Sequence, residues 1–270
     1  MKTKYFLIYA VLLFVGSSLW AKDISRLFIR VHTNDIKTPL RVFVTDPLGR
    51  TTGGDSTQKT FFREIPNSGY GTEATDYEEG GSGPESFLVE LIQLESSGTY
   101  KVVVESNKAI DYGLSVRYSD RAGNRSYNKF KGLIEPGKPK EYLLEVDPTP
   151  GAGPVKIKKV VTFQTLEEDL SLAREMGIIK GQEFYEELWE ALLDAKQAQK
   201  KRDSEEAREE LGELAEELKP LGSKRLRKGE TQNQWSARQS FVQGFQEDIQ
   251  TLKKHFPKEG RDEEEEDEDD

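Results

Sequence analysis

SGTYKVVVESNKAIDYGLSVRY, residues 97–118, decides the fold of the first half of this chain. Tyr100, Val102 and Val104 alternate, and after a polar break Ile110, Tyr112, Leu114, Val116 and Tyr118 alternate again. Apolar side chains two residues apart share one face of a strand, so each run buries one face and wets the other. Working outward, Leu27, Ile29 and Val31 repeat the pattern, as do Leu40, Val42 and Val44, then Phe87, Val89 and Leu91, and finally Tyr142, Leu144 and Val146. Turn residues separate the runs: Asp46-Pro47-Leu48-Gly49, Ser96-Ser97-Gly98, the stretch from Asp120 to Asn124, and Glu135-Pro136-Gly137. Short strands at this spacing, with no helical stretch between them, predict an antiparallel β-sandwich over residues 22–147. Residues 50–85 break the pattern. They offer a short strand at residues 61–65 and are otherwise rich in Gly, Ser, Thr and acids, which predicts a long loop.

Beyond residue 147 the period changes. Residues 148–156, opening DPTPGAGP from Asp147, read as a proline- and glycine-rich linker. Val155, Ile157, Val161 and Phe163 give one last alternating run. Residues 157–257 then carry helical spacing. Thr165 to Glu168 matches a capping box, and Gly177 is a helix stop. Phe184, Leu188, Leu192 and Ala195 line a second helix with Trp189 beside them. Asp203 caps a third, with Ala207, Leu211, Leu214 and Leu218 on its apolar face, and Pro220 and Gly222 end it. Trp235, Val242, Phe245, Ile249, Leu252 and Phe256 line a fourth, with Arg238 in one interrupted slot. Four helices on short connections predict a small antiparallel bundle. The fold class is therefore multidomain, β then α.

Charge and composition narrow the chemistry. The chain has 270 residues, net charge −10, no cysteine, and two histidines, His32 and His255. Disulfides, Fe–S clusters, cysteine nucleophiles and thiolate zinc sites are excluded. Residues 262–270 are nine acids, expected with the rest of 258–270 to form a disordered acidic tail, and Lys2 and Lys4 are the only charges in the first 21 residues. Without these two segments the body carries −3, so no basic surface for nucleic acid is expected. The densest basic run, Lys224-Arg225-Leu226-Arg227-Lys228, reads as a solvated loop.

Residues 1–21 have the three parts of a secretory signal peptide: a basic start, the apolar run YFLIYAVLLFV, and small residues up to Ala21. The run is shorter than the ~20 residues that span a bilayer. A secreted or periplasmic protein, cleaved near Lys22 and with no stable membrane span afterwards, is expected.

The helical stretch resembles a known family. VVTFQTLEEDLSLAREMGIIKGQEFYEELWEALLDAKQAQKKRDSEEAREELGEL is similar to the FIMAH modules at the C-terminal end of exported bacterial proteins. Gly177-Ile178-Ile179, Leu188, Leu192, Ala195, Ala207 and Leu211 carry the resemblance, which covers about residues 160–218. The family's glycine in the second turn is Arg202 here. The resemblance implies an accessory module without catalytic residues. The β region is similar to immunoglobulin-like and pre-peptidase C-terminal sandwiches through DPLGR (46–50), EIPNSGYG (64–71) and SGTYKVVVE (97–105).

Candidate sites are few. His32 lies opposite in parity to Leu27, Ile29 and Val31, which predicts an exposed strand residue. His255 near a helix end is explained by the helix dipole. Asp55, Asp76, Glu78 and Glu79 supply the hard oxygens that Ca²⁺ prefers, without EF-hand spacing. Tyr70 and Tyr77 are candidates for ligand contact by stacking on sugar rings, whereas Tyr112 and Tyr118 share the parity of a buried face. No catalytic residue or bound cofactor is expected. The expected function is an exported non-enzymatic accessory or interaction protein of the bacterial envelope, meeting a protein or glycan partner. The alternative is a Ca²⁺-dependent or carbohydrate-binding sandwich, with an unrecognised hydrolase a distant third.

Overall fold

The computed structural model describes residues 24–33, 40–55, 60–76 and 82–256. The chain divides into two compact units. The first takes in Met1–Lys108, Tyr112–Phe130 and Pro136–Val160, and the second Ala109–Asp111, Lys131–Glu135 and Val161–Asp270. Two strand ends are thus grouped with the helices.

The strands are β1 (Arg26–His32), β2 (Leu40–Thr45), β3 (Thr51–Asp55), β4 (Thr60–Arg63), β5 (Ser68–Asp76), β6 (Ser82–Ile92), β7 (Gly98–Ser106), β8 (Ile110–Ser119), β9 (Arg125–Ile134), β10 (Lys140–Val146) and β11 (Lys156–Lys159). They form two antiparallel sheets, ordered β5-β6-β1-β8-β9 and β11-β10-β7-β2-β3-β4. The register sets apolar residues opposite one another. Leu27, Ile29 and Val31 of β1 face Leu91, Val89 and Phe87 of β6 on one side. On the other they face Tyr118, Val116 and Leu114 of β8. All nine are at most 3% exposed. Val42 and Val44 meet Val104 and Val102 in the second sheet, and Leu144 meets Tyr100. Each such aliphatic side chain gains about 1.5–3 kcal/mol on burial. Across this core Tyr112 Oη and Tyr142 Oη share a hydrogen bond of 2.5 Å. Both tyrosines expected in the core, Tyr112 and Tyr118, lie there.

Residues 50–85 are not one long loop. They contain β3, β4 and β5 and the start of β6. Hydrophobic alternation does not see β3, because its sequence is TTGGD. Gly53 sits at φ +139°, and a Cβ there would stand 2.0 Å from the Val42 carbonyl oxygen. Glycine alone allows that approach. The neighbouring inward position is polar but satisfied: Thr52 Oγ1 and Ser68 Oγ lie 2.7 Å apart, and Ser68 also donates to the Ile65 carbonyl. The proline-rich stretch after β10 is tied down as well. Tyr118 Oη donates to the Asp147 carbonyl at 2.6 Å, and Gly151 N–H donates to Asp120 at 3.2 Å. β11, the last alternating run, then pairs with β10.

Four helices follow: α1 (Phe163–Glu175), α2 (Gln182–Lys201), α3 (Ser204–Glu217) and α4 (Gln232–Lys253). The capping box lies three residues earlier than expected. Thr162 accepts from Thr165 N–H, and Thr165 Oγ1 accepts from Thr162 N–H. The buried stripe starts at Phe163, so the cap must precede it. Gly177 ends α1 at φ +68°, and Ile178 N–H closes the turn on the Ala173 carbonyl. Asp203 caps α3 by accepting from Glu206 N–H at 2.9 Å. Leu188, Leu192, Leu211, Leu214, Phe241, Phe245 and Ile249 share one core, with Leu133 from the strand end among them. The fourth stripe differs in detail from its expected form. Trp235 is only half-buried, Phe241 takes its place in the core, and Phe256 is buried just past the end of α4. Arg238 is no interruption of that stripe. It is 1% exposed, the largest fully buried side chain among the described residues. Gly244 lets α4 meet the strand end, since a Cβ there would fall 2.1 Å from the Lys131 carbonyl oxygen.

Candidate binding face of the five-stranded sheet

The tyrosine and carboxylate candidates do not converge. Tyr70 lies in β5 opposite Val89, an inward position. Its hydroxyl donates to the Gly54 carbonyl of the other sheet at 2.9 Å, and its ring meets Phe61 at 5.4 Å. The ring therefore braces the two sheets. Asp55 ends β3 and Asp76 ends β5, in different sheets. Tyr77, Glu78 and Glu79 lie outside the described residues, as do residues 1–21 and 258–270. Among the described residues no cluster of three potential metal ligands occurs. His32 is half-buried at the end of β1, its ring lying across Gly113 of β8, and His255 is exposed.

A different constellation stands on the outward face of the five-stranded sheet. Because β1 turns Leu27, Ile29 and Val31 inward, Arg26, Phe28 and Arg30 must point outward. In β9 the corresponding run is Arg125, Tyr127 and Lys129. β8 lies between them and offers Arg117, the one exposed residue of that strand. Two strands with the pattern cation-aromatic-cation thus flank a strand with a cation at the matching level. The register places Glu90, Phe28 and Arg117 in one row across β6, β1 and β8. Tyr127 continues the row, with the Arg117 guanidinium 5.1 Å from its ring centre and 6.0 Å from that of Phe28. Lys129 Nζ stands 5.0 Å from the Tyr127 ring.

The electrostatics follow from this packing. Burial alone would raise the Tyr127 phenol, but hydrogen bonds and positive charge from Lys129 and Arg117 outweigh it and hold the group below its ordinary 10.0. Arg26 and Arg125 have no ion-pair partner among the described residues. Asp120, at the edge of the face, accepts from Asn124 inside its own turn and from Gly151 of the stretch after β10. Burial opposes ionisation there, and those hydrogen bonds prevail to keep the carboxyl below its usual range. Arg26, Phe28, Glu90, Arg117, Arg125 and Tyr127 line an open groove of about 790 Å³.

The near-neutral total of the body hides an uneven distribution of charge. Five cations, Arg26, Arg30, Arg117, Arg125 and Lys129, gather on one face of a chain whose net charge is −10. Guanidinium groups offer planar paired donors that fit carboxylates, phosphates and sulfates. The signal was present in the outward parity of β1 and β9, but the sequence does not say that strands a hundred residues apart are near neighbours. No protein-family model matches the chain, and no curated protein matches it.

Proposed function

We propose that this chain is an exported, non-enzymatic interaction protein of the bacterial envelope whose β-sandwich binds an acidic glycan. The observation that carries the reading is the row Phe28, Arg117, Tyr127, flanked by Arg26, Arg125 and Lys129. Arginines with no carboxylate partner among the described residues supply the charge complement, and the aromatic edges supply apolar contact for a sugar ring. The carbohydrate-binding reading thereby moves from Tyr70 and Tyr77 to this face. Export rests on the basic start, apolar core and small residues of 1–21. In this reading the helices are a FIMAH-like accessory element. Arg202, at the family's glycine position, has φ +64°, the backbone conformation that glycine favours.

Calorimetric titration tests the reading, with an acidic polysaccharide, a neutral one, polyglutamate and a single-stranded oligonucleotide as ligands. Binding to the acidic polysaccharide, weakened by salt and absent for the neutral one, is expected. Preference for polyglutamate would place a protein partner there instead, and preference for the oligonucleotide would overturn the envelope reading.

A further inference from the structure

The second basic feature is the loop between α3 and α4. Lys219, Lys224, Arg225, Arg227 and Lys228 fall within ten residues, and no acid occurs among them. Such a run in water is ordinarily a mobile, solvated loop. Here it is held from beneath. Arg238 Nε and one terminal nitrogen donate to the two oxygens of Glu230 at 2.8 and 2.9 Å. The remaining donors go to the carbonyls of Leu221, Ser223 (2.9 Å) and Arg225 (3.0 Å). All five guanidinium hydrogens are thus spent on one loop. Gln239 adds a bond to the Ser223 carbonyl at 2.9 Å, and Arg227 N–H donates to Glu230 at 2.9 Å. With its carbonyls fixed toward α4, the loop leaves the side chains of Lys224, Arg225, Leu226 and Lys228 in water. Leu226 is 51% exposed. Lys224, Arg225 and Lys228 pair with no carboxylate among the described residues.

From these residues we infer that residues 223–229 form a preorganised docking element for an anionic phospholipid surface. The charge complement selects the headgroups, and the apolar side chain selects a lipid over other polyanions. An acidic polymer in water rewards the three exposed cations but offers nothing to an exposed leucine. A bilayer rewards both, because an apolar interior lies under the anionic layer. The buried Arg238 has already ordered the backbone, so docking does not have to. Association would be peripheral, since no described helix is long and apolar enough to cross a membrane.

The test uses the full chain, sedimented with vesicles of phosphatidylcholine alone or with about a third phosphatidylglycerol. Binding is expected only to the second, and is expected to fall at high salt. Lys224→Gln with Arg225→Gln should weaken it about 25-fold, at about fivefold per cation. The chain has no cysteine, so Leu226→Cys carries a polarity-sensitive dye at one place. Its emission should shift to the blue with anionic vesicles and stay unmoved with heparin or polyglutamate. Arg26→Ala with Arg117→Ala should leave vesicle binding intact, which separates this site from the sheet face. These side chains are exposed, and unchanged thermal unfolding verifies that the variants fold. Equal binding to both vesicle types, vesicle binding unaffected by the glutamine pair, or a dye that does not shift on anionic vesicles overturns the inference. A dye that shifts equally with a soluble polyanion overturns it too, and makes the loop a polymer site.

Discussion

Arginine meets two opposite fates in this protein. On the five-stranded sheet Arg26, Arg117 and Arg125 lie in a wet groove beside Phe28 and Tyr127. In the helical unit Arg238 is 1% exposed and spends every donor on one carboxylate and three carbonyls. The buried ion is expensive to desolvate, so it persists only where each hydrogen finds a partner. The exposed ones cost little, and Arg26 and Arg125 have no ion-pair partner among the described residues. Where an arginine is satisfied by its own chain it shapes a loop, and the exposed arginines of the sheet are the ones we propose for binding.

Substitutions should separate the two kinds sharply. Arg238→Ala strands the Glu230 carboxylate and the loop carbonyls, and is expected to lose about 3–5 kcal/mol in urea unfolding. Phe245→Ala, in the same core and 2% exposed, should lose a similar ~3–5 kcal/mol by cavity formation. The two differ in a second readout: only the arginine variant should open residues 221–230 to proteolysis. Arg117→Ala should stay within about 0.5 kcal/mol of the parent. A large loss there would mean that the sheet face is structural.

Gly244→Ala is expected to cost about 1–3 kcal/mol, although alanine is the better helix former. The new methyl would meet the backbone of Lys131, which has no flexible end to move.

Acid should weaken the buried pair. Hydrogen bonding from Arg238 holds the Glu230 carboxyl down at about 2, from an ordinary 4.5. A group lowered on folding stabilises the fold above its unfolded pKa, and loses that contribution as pH falls toward the folded value. The stability gap between the parent and Glu230→Gln should therefore close between about pH 4.5 and pH 2. Glu210 and Glu217 run the other way. Burial, and then neighbouring carboxylates, raise both, so their protonation favours the fold as pH falls. Urea midpoints across that range read the difference.

One substitution is expected to give a gain. Arg202 occupies the left-handed region at φ +64°, where a side chain costs about 1–2 kcal/mol. Arg202→Gly should raise stability by about 1 kcal/mol, net of the extra freedom of the unfolded chain.

What the sequence disclosed follows the same division. Strands with apolar inward positions, such as β1, β7 and β10, were legible because period-2 burial leaves a mark. β3 was not, since its inward contacts are Thr52 and glycine backbone rather than apolar side chains. The helices and the Asp203 cap were legible, but the first cap slipped to Thr162 because two threonines three apart both suit the role. The outward cations of β1 and β9 were readable strand by strand. Their union required the order β1-β8-β9, which is set by pairings far apart in sequence. Arg238 gave no signal beyond an odd slot in an apolar stripe, because most of its partners are carbonyls 13–17 residues back, and carbonyls have no letter in a sequence.

The proposed binding of an acidic glycan to the Arg26, Arg117 and Arg125 face is decided by one titration. The parent chain and the triple variant Arg26→Ala, Arg117→Ala, Arg125→Ala are titrated calorimetrically with the acidic polysaccharide at low salt, with thermal unfolding in parallel. Loss of measurable heat by the variant at an unchanged melting temperature is expected, and equal binding by both proteins would rule out this face as the glycan site.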